Sequence, residues 1–87
     1  MGEVAVIGLA RSGVAASRLL LAQGHQVYAS DAKRSLETEA AAAELRALGV
    51  AADAGQHDVA RIARAAFVVA SPGVPPTAPP LAAALRA

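Results

Sequence analysis

With 87 residues, the chain has room for one small domain, expected over residues 1–87, and not for two. The chain is 55% hydrophobic and 17% charged, which is enough apolar material for a packed core and argues against a disordered chain. A net charge of +1 from scattered basic residues argues against a nucleic-acid surface, and the lack of cysteine excludes disulfides and thiolate metal sites. The chain has neither a signal peptide nor an apolar stretch of about 18 residues, which predicts a cytoplasmic protein that does not enter a membrane.

The first predicted unit is a strand, a tight turn and a helix. Residues 4–7 form a continuous apolar run closed by Gly8, which is typical of a strand buried on both faces of a parallel sheet. Ser12 predicts the N-cap of the first helix, because its hydroxyl can accept a first-turn N–H. Residues 14–21 have helix-compatible spacing, and Gly24 ends this helix.

A second strand and a second helix follow. Residues 26–30 predict a short strand that ends at Asp31. Ser35 predicts the N-cap of the next helix, and Gly49 its end. Helical spacing predicts that one face of this helix is apolar, and that face comprises Leu36, Ala40, Ala43 and Ala47.

The remaining chain completes an alternation of strands and helices. Residues 50–54 and 67–70 predict the third and fourth strands, with a short helix capped by Asp58 between them. A proline-rich loop over 71–76 precedes a last helix that Thr77 would cap. The alternation predicts an α/β protein with a Rossmann-like open parallel sheet of about four strands, order 3-2-1-4, and helices on both faces.

The turn from Gly8 to Gly13 is the strongest candidate for a binding site. It joins the first strand to the first helix, where unpaired N–H groups and the helix dipole favour an anion such as phosphate. The dinucleotide fingerprint G-x-G-x-x-G requires glycine where Ala10 stands, so the methyl group there counts against NAD or FAD. Ser12 can donate to a phosphate, or it only caps the helix while the glycines only form the turn.

Two further loops are predicted to end at the same edge of the sheet. Asp31 follows the second strand, where a carboxylate can accept from ribose hydroxyls or a base N–H, or can simply belong to a turn. Lys33 and Arg34 could bind phosphate or stack on a base, or could be solvated. Ser71-Pro72-Gly73 follows the fourth strand and would face the same crevice, unless it is only a stiff connector.

The pair His57-Asp58 follows the third strand. Neither a nucleophile nor a metal ligand is predicted beside it, and metal-ligating residues are not clustered elsewhere in the sequence. The sequence therefore predicts no catalytic residue and no metal site within these 87 residues.

Three segments together resemble the N-terminal domain of the Mur ligases of peptidoglycan synthesis: residues 6–13, Ser30-Asp31 and residues 70–75. The resemblance covers the whole chain and is strongest to the branch that adds D-glutamate. It implies that this domain holds the UDP part of the substrate, UDP-N-acetylmuramoyl-L-alanine. It also implies that a central domain of the parent protein binds ATP and Mg²⁺ and that a C-terminal domain helps to bind the amino acid.

The same resemblance implies the roles of individual residues. Arg11 and Ser12 would donate to the diphosphate, Asp31 would border the uridine, and the loop after the fourth strand would close the pocket. The implied UDP-binding set is Gly8, Ala10, Arg11, Ser12, Gly13, Asp31, Ala32, Lys33, Ser71, Pro72 and Gly73. Because the chain has no G-x-x-G-K-[ST] phosphate loop, we expect it to be inactive alone and to contact the other domains of a longer parent.

Two other functions remain open from the sequence. An NAD(P)-binding domain of an oxidoreductase shares the strand, the turn, the helix and the acidic residue after the second strand. A free-standing nucleotide-binding or interaction module would also fit 87 residues.

Overall fold

A computed structural model describes residues 2–70 of the chain. Strands and helices alternate along it, as the sequence predicts. The strands are β1 (Val4–Ile7), β2 (Val27–Asp31), β3 (Ala51–Ala54) and β4 (Phe67–Ala70). The helices are α1 (Arg11–Ala22), α2 (Leu36–Ala47) and α3 (Val59–Ala63). The proline-rich loop and the last helix predicted for residues 71–87 lie outside the described residues.

The four strands form one parallel sheet in the order β3-β2-β1-β4. In the centre, Val4 is in register with Val27 of β2 and with Phe67 of β4, and all four residues of β1 are buried. The predicted parallel sheet and its strand order are therefore confirmed.

Helices cover both faces of the sheet, which confirms the Rossmann-like prediction. On one face, Val6 and Ala29 pack with Leu45 of α2 and Leu20 of α1. On the other face, Ile7 and Tyr28 pack with Ile62 of α3. Among residues 2–70, no helix is long and apolar enough to cross a membrane.

The first helix begins earlier than predicted. Its N-cap is Ala10, which has extended backbone angles and supplies no side-chain hydrogen bond. Ser12 lies in the first turn of α1, so the prediction that it is the N-cap is wrong. The second helix begins as predicted, because Ser35 Oγ accepts from the N–H of Thr38 and Thr38 Oγ1 accepts from the N–H of Ser35. This reciprocal pair is a capping box.

The buried face of α2 differs from the prediction. Thr38, Ala42 and Leu45 are buried, whereas Leu36 is 87% exposed. All four residues predicted to form the apolar face are exposed: Leu36, Ala40, Ala43 and Ala47. Consecutive alanines give this helix little difference between its sides, so the capping box and the single buried leucine set its orientation.

Candidate functional site

The turn after β1 is held against the end of β2. Gly8 has a φ of 111°, a conformation that favours glycine, and its N–H donates to the carbonyl oxygen of Ser30 over 2.7 Å. Leu9, the next residue, is buried, with 4% of its surface exposed. The chain therefore turns sharply between Gly8 and the start of α1 at Arg11.

Asp31 joins the turn after β1 to the loop after β2, and both border the site. Its Oδ2 accepts from the N–H of Leu9 and its Oδ1 accepts from the N–H of Lys33, each over 2.9 Å. The carboxylate predicted to bind a ligand is therefore first a structural acceptor. Each carboxylate oxygen has a second lone pair, so the group can still accept from a ligand.

A groove of about 920 Å³ opens between α1 and α2 beside this carboxylate. Val14, Ala15 and Ala41 contribute apolar surface to it. Arg18 Nη1 of α1 lies 3.3 Å from Glu44 Oε1 of α2, and this ion pair links the two helices along the groove. The groove is large enough for a nucleotide.

The structure brings four of the predicted site residues to this groove: Ala10, Arg11, Asp31 and Lys33. Four others do not line the groove, although each is next in the chain to a residue that does: Gly8, Ser12, Gly13 and Ala32. Gly8 and Gly13 are buried, and Ser12 and Ala32 are exposed. The remaining three, Ser71, Pro72 and Gly73, lie outside the described residues.

A buried polar contact that was not predicted from the sequence lies on the face of the sheet opposite the groove. Ser30, 1% exposed, places its Oγ 2.6 Å from Nδ1 of His57. Burial lowers the pKa of His57 below its usual value, while the negative charge of Asp31 partly opposes that shift. The expectation that no nucleophile-type side chain lies near His57 is therefore wrong. Parallel register could have indicated the contact, because the loop after β3 meets the carboxyl end of β2.

A second buried hydroxyl lies on the same face of the sheet. Tyr28 donates through its hydroxyl to Oδ2 of Asp53 over 2.6 Å and accepts from the N–H of Asp58 over 2.9 Å. Burial, with the Asp53 carboxylate, raises the pKa of Tyr28 to about 12. The guanidinium of Arg61 lies 4.6 Å above the tyrosine ring and forms a bidentate ion pair with Glu3. These contacts hold the loop after β3 and the start of α3 against β2.

The described residues do not fit an ATP or magnesium centre. Within residues 2–70, no group of three or more histidine, cysteine or acidic residues is placed to hold a metal ion. The full sequence also has no G-x-x-G-K-[ST] segment. No chemical step involving ATP or Mg²⁺ is therefore assigned to these residues.

The fold and the site define the class of the protein. A parallel sheet with a glycine turn at the start of α1 and an acidic residue at the end of β2 is typical of Rossmann-like nucleotide-binding domains. Residues 2–87 match the family described as "Mur ligase MurD-like, N-terminal domain". The chain belongs to this family.

Curated relatives agree with the family. The chain is 46% identical over 78 residues to a UDP-N-acetylmuramoylalanine--D-glutamate ligase of Desulfovibrio desulfuricans, covering 86% of the chain and 18% of the relative. Proteins of the same name in Frankia casuarinae and Myxococcus xanthus are 50% identical over 76 residues and 45% identical over 85 residues. These matches cover 87% and 98% of the chain, and 16% and 19% of the relatives. The chain thus spans less than a fifth of each relative.

Proposed function

We propose that this chain is the domain that binds the UDP part of UDP-N-acetylmuramoyl-L-alanine in a longer, ATP-dependent D-glutamate ligase of peptidoglycan synthesis. The name shared by the relatives, UDP-N-acetylmuramoylalanine--D-glutamate ligase, supports the reaction. The observation that carries the role of this domain is the contact between Leu9 and Asp31, which places the phosphate-type turn and a carboxylate at one groove. The ligase would work in the cytoplasm.

In this proposal the diphosphate lies at the start of α1. The positive end of the helix dipole and the guanidinium of Arg11 both favour an anion there. Ala10 supplies no side-chain acceptor to the first turn, so the cap does not compete with a ligand for those N–H groups. Ser12 and Gly13 would complete the turn around the phosphates.

The uridine would lie on the other side of the groove, beside Asp31. The remaining lone pairs of that carboxylate would accept from a ribose hydroxyl or a base N–H. Ala32 and Lys33 would border the nucleoside, and Ser71-Pro72-Gly73 would close the pocket. Lys33 lines the groove, and in this proposal its ammonium group would pair with the diphosphate or contact the nucleoside.

The contribution of this domain to the reaction would be positional. Binding energy from the remote UDP group would hold the reacting carboxylate of the substrate at the catalytic centre of the parent protein. ATP and Mg²⁺ would bind in another domain, where the carboxylate would be activated for attack by the amine of D-glutamate.

A ligand titration followed by NMR tests the proposal. The 87-residue chain is titrated with UDP and, separately, with NADH. We expect UDP to shift the amide signals of Gly8, Leu9 and Asp31. Gly8 and Leu9 lie in the turn, and the Asp31 carboxylate accepts from the N–H of Leu9. Shifts with NADH and none with UDP would refute the proposal in favour of an oxidoreductase domain.

A matched pair of arginine variants localises the site. Arg11→Ala removes a cation that lines the groove, whereas Arg64→Ala removes an exposed one at the end of α3, on the other face of the sheet. Because a hydrogen bond to a charged group contributes about 1.5–3 kcal/mol, we expect Arg11→Ala to weaken UDP binding about tenfold or more. Arg64→Ala is expected to leave it unchanged. Equal effects of the two variants would argue against a site at α1.

A further inference from the structure

The dipeptide Ser30-Asp31 hydrogen-bonds to the loops on both of its sides. Toward β1, it accepts from the N–H groups of Gly8 and Leu9. Toward β3, the carbonyl oxygen of Asp31 accepts from the N–H of Gly55 over 2.8 Å, and Asp31 forms an antiparallel bridge with Gln56. The position of Asp31 therefore depends on the loop after β3 as well as on the turn after β1.

The two side chains of this dipeptide point to opposite faces of the sheet. Asp31 lines the groove between α1 and α2. Because successive side chains of a strand point to opposite faces, Ser30 lies on the face that α3 covers, where its Oγ contacts Nδ1 of His57. The imidazole of His57 therefore lies across the sheet from the groove and contacts Ser30, the neighbour of Asp31 in the chain.

The protonation state of His57 decides the hydrogen bond to Ser30. A neutral imidazole can accept from the Ser30 hydroxyl at Nδ1, whereas an imidazolium has donors only. Protonation would therefore reverse this 2.6 Å bond and create a positive charge that interacts with the carboxylate of Asp31 across the sheet. Other charged or titratable groups on this face and in the adjoining loops include Tyr28 of β2, Asp53 of β3, Asp58 and Arg61 at α3, and Arg34, whose side chain lies against Gly55.

Tyr28, Asp53, Asp58 and Arg61 each have a hydrogen-bond partner other than His57. Asp53 accepts from the Tyr28 hydroxyl, and Asp58 accepts from the N–H of Arg61 at the start of α3. Arg61 is paired with Glu3. Asp31 interacts electrostatically with His57, because its negative charge opposes the lowering of the His57 pKa by burial.

We propose that His57, acting through Ser30, is a positioning residue that holds Asp31 and the turn at Leu9 in the arrangement that binds UDP. This role rests on the proposed function. The neutral imidazole is the competent form. Its protonation reverses the hydrogen bond to Ser30 and so shifts the end of β2 that holds the Asp31 carboxylate against the Leu9 N–H.

The first part of the test needs no ligand. The pH titration of the His57 ring is recorded by NMR together with the amide signal of Leu9, in the 87-residue chain and in three variants. We expect the Leu9 signal to follow the His57 midpoint in the unaltered chain and in His25→Gln, which removes the other of the two histidines. In His57→Gln and in Ser30→Ala, that step is expected to disappear.

The second part measures UDP affinity one pH unit above and one below the His57 midpoint. We expect affinity to fall at the lower pH about fivefold more in the unaltered chain and in His25→Gln than in His57→Gln, which fits a typical coupling between sites. Because the same UDP is used throughout, titration of its own phosphate cancels in the comparison. Ser30→Ala, which adds no bulk, provides a second variant should His57→Gln fold poorly.

The outcomes separate the two proposals. UDP binding with the same pH dependence in all variants would overturn the role of His57 while leaving the proposed function intact. A Leu9 amide signal that does not change around the His57 midpoint would also overturn the role of His57. If UDP does not bind at either pH while the Leu9 signal still follows His57, the proposed function fails and the coupling between His57 and Asp31 is supported.

Discussion

The N–H of Leu9 and the carboxylate of Asp31 are 22 residues apart in the chain and are joined by a hydrogen bond of 2.9 Å. The same carboxylate accepts from the N–H of Lys33. One charged acceptor therefore orders both loops at the mouth of the groove. Such bonds to an ionised acceptor are about twice as strong as neutral ones.

Removal of this acceptor should destabilise the whole domain. We expect Asp31→Ala to lower the free energy of unfolding by about 1.5–3 kcal/mol, because it leaves the N–H groups of Leu9 and Lys33 without their acceptor. Asp31→Asn keeps one amide oxygen and should cost less. Urea unfolding of both variants measures the difference, and an Asp31→Asn variant less stable than Asp31→Ala would contradict this account.

The orientation of α2 can be tested with two leucines of the same helix. Leu45 is fully buried and Leu36 is 87% exposed. We expect Leu45→Ala to lower the free energy of unfolding by about 2–5 kcal/mol, since it removes buried contacts and leaves a cavity. Leu36→Ala should change it by less than about 0.5 kcal/mol. Urea unfolding that gives the reverse ranking would show that α2 packs with the face predicted from the sequence.

The titration of Tyr28 should report its burial. It is the only tyrosine in the chain, so the absorbance of tyrosinate comes from it alone. Burial and the Asp53 carboxylate raise the pKa of Tyr28 to about 12, from an ordinary value of 10.0. The folded state then retains the proton that the unfolded state loses, so this contribution to stability is complete below pH 10 and is lost as pH rises through about 12.

The variant Asp53→Asn provides the control for that titration. It removes the charged acceptor of the tyrosine hydroxyl, so the midpoint in the absorbance titration should move down toward the ordinary value. An unchanged midpoint in Asp53→Asn would show that Asp53 does not contribute to the raised pKa.

Gly55 should tolerate a side chain less well than Gly24. Both have positive φ, of 85° and 91°, so alanine at either position costs about 1–2 kcal/mol in backbone strain. At Gly55 the new Cβ would also lie 2.7 Å from Nε of Arg34, whereas at Gly24 nothing lies within 4 Å. We expect Gly55→Ala to be the more destabilising in urea unfolding. In an Arg34→Ala background the difference should shrink but persist, because Cβ of residue 34 remains 3.0 Å from the new Cβ.

The strands and their order could be predicted because the signals are local and strong. Residues 4–7 are apolar without interruption and occupy the centre of the sheet, where both faces are covered. Each link between parallel strands contains a helix, and right-handed crossovers then allow few arrangements. The capping of α2 by Ser35 and of α3 by Asp58 was also predictable, since both side chains accept an N–H three residues later.

Three features were not predicted from the sequence, for different reasons. Ser12 has a capping side chain, but the turn at Gly8 brings the chain into helical geometry two residues before a Ser12 cap would allow it. The alanines at residues 40–43 gave α2 no distinct apolar side. The contact between Ser30 and His57 spans 27 residues and depends on the register of β2 and β3, which composition does not reveal.

The strand order also imposes a delay between the synthesis of β1 and the pairing of its second edge with β4. β1 leaves the ribosome first, yet its second neighbour β4 begins at Phe67, in register with Val4. At about 5–20 residues per second, one edge of the most apolar strand waits on the order of 3–13 s for its partner. During that interval the nascent chain presents an unpaired β edge, and a chain paused there is most exposed to mispairing with another copy.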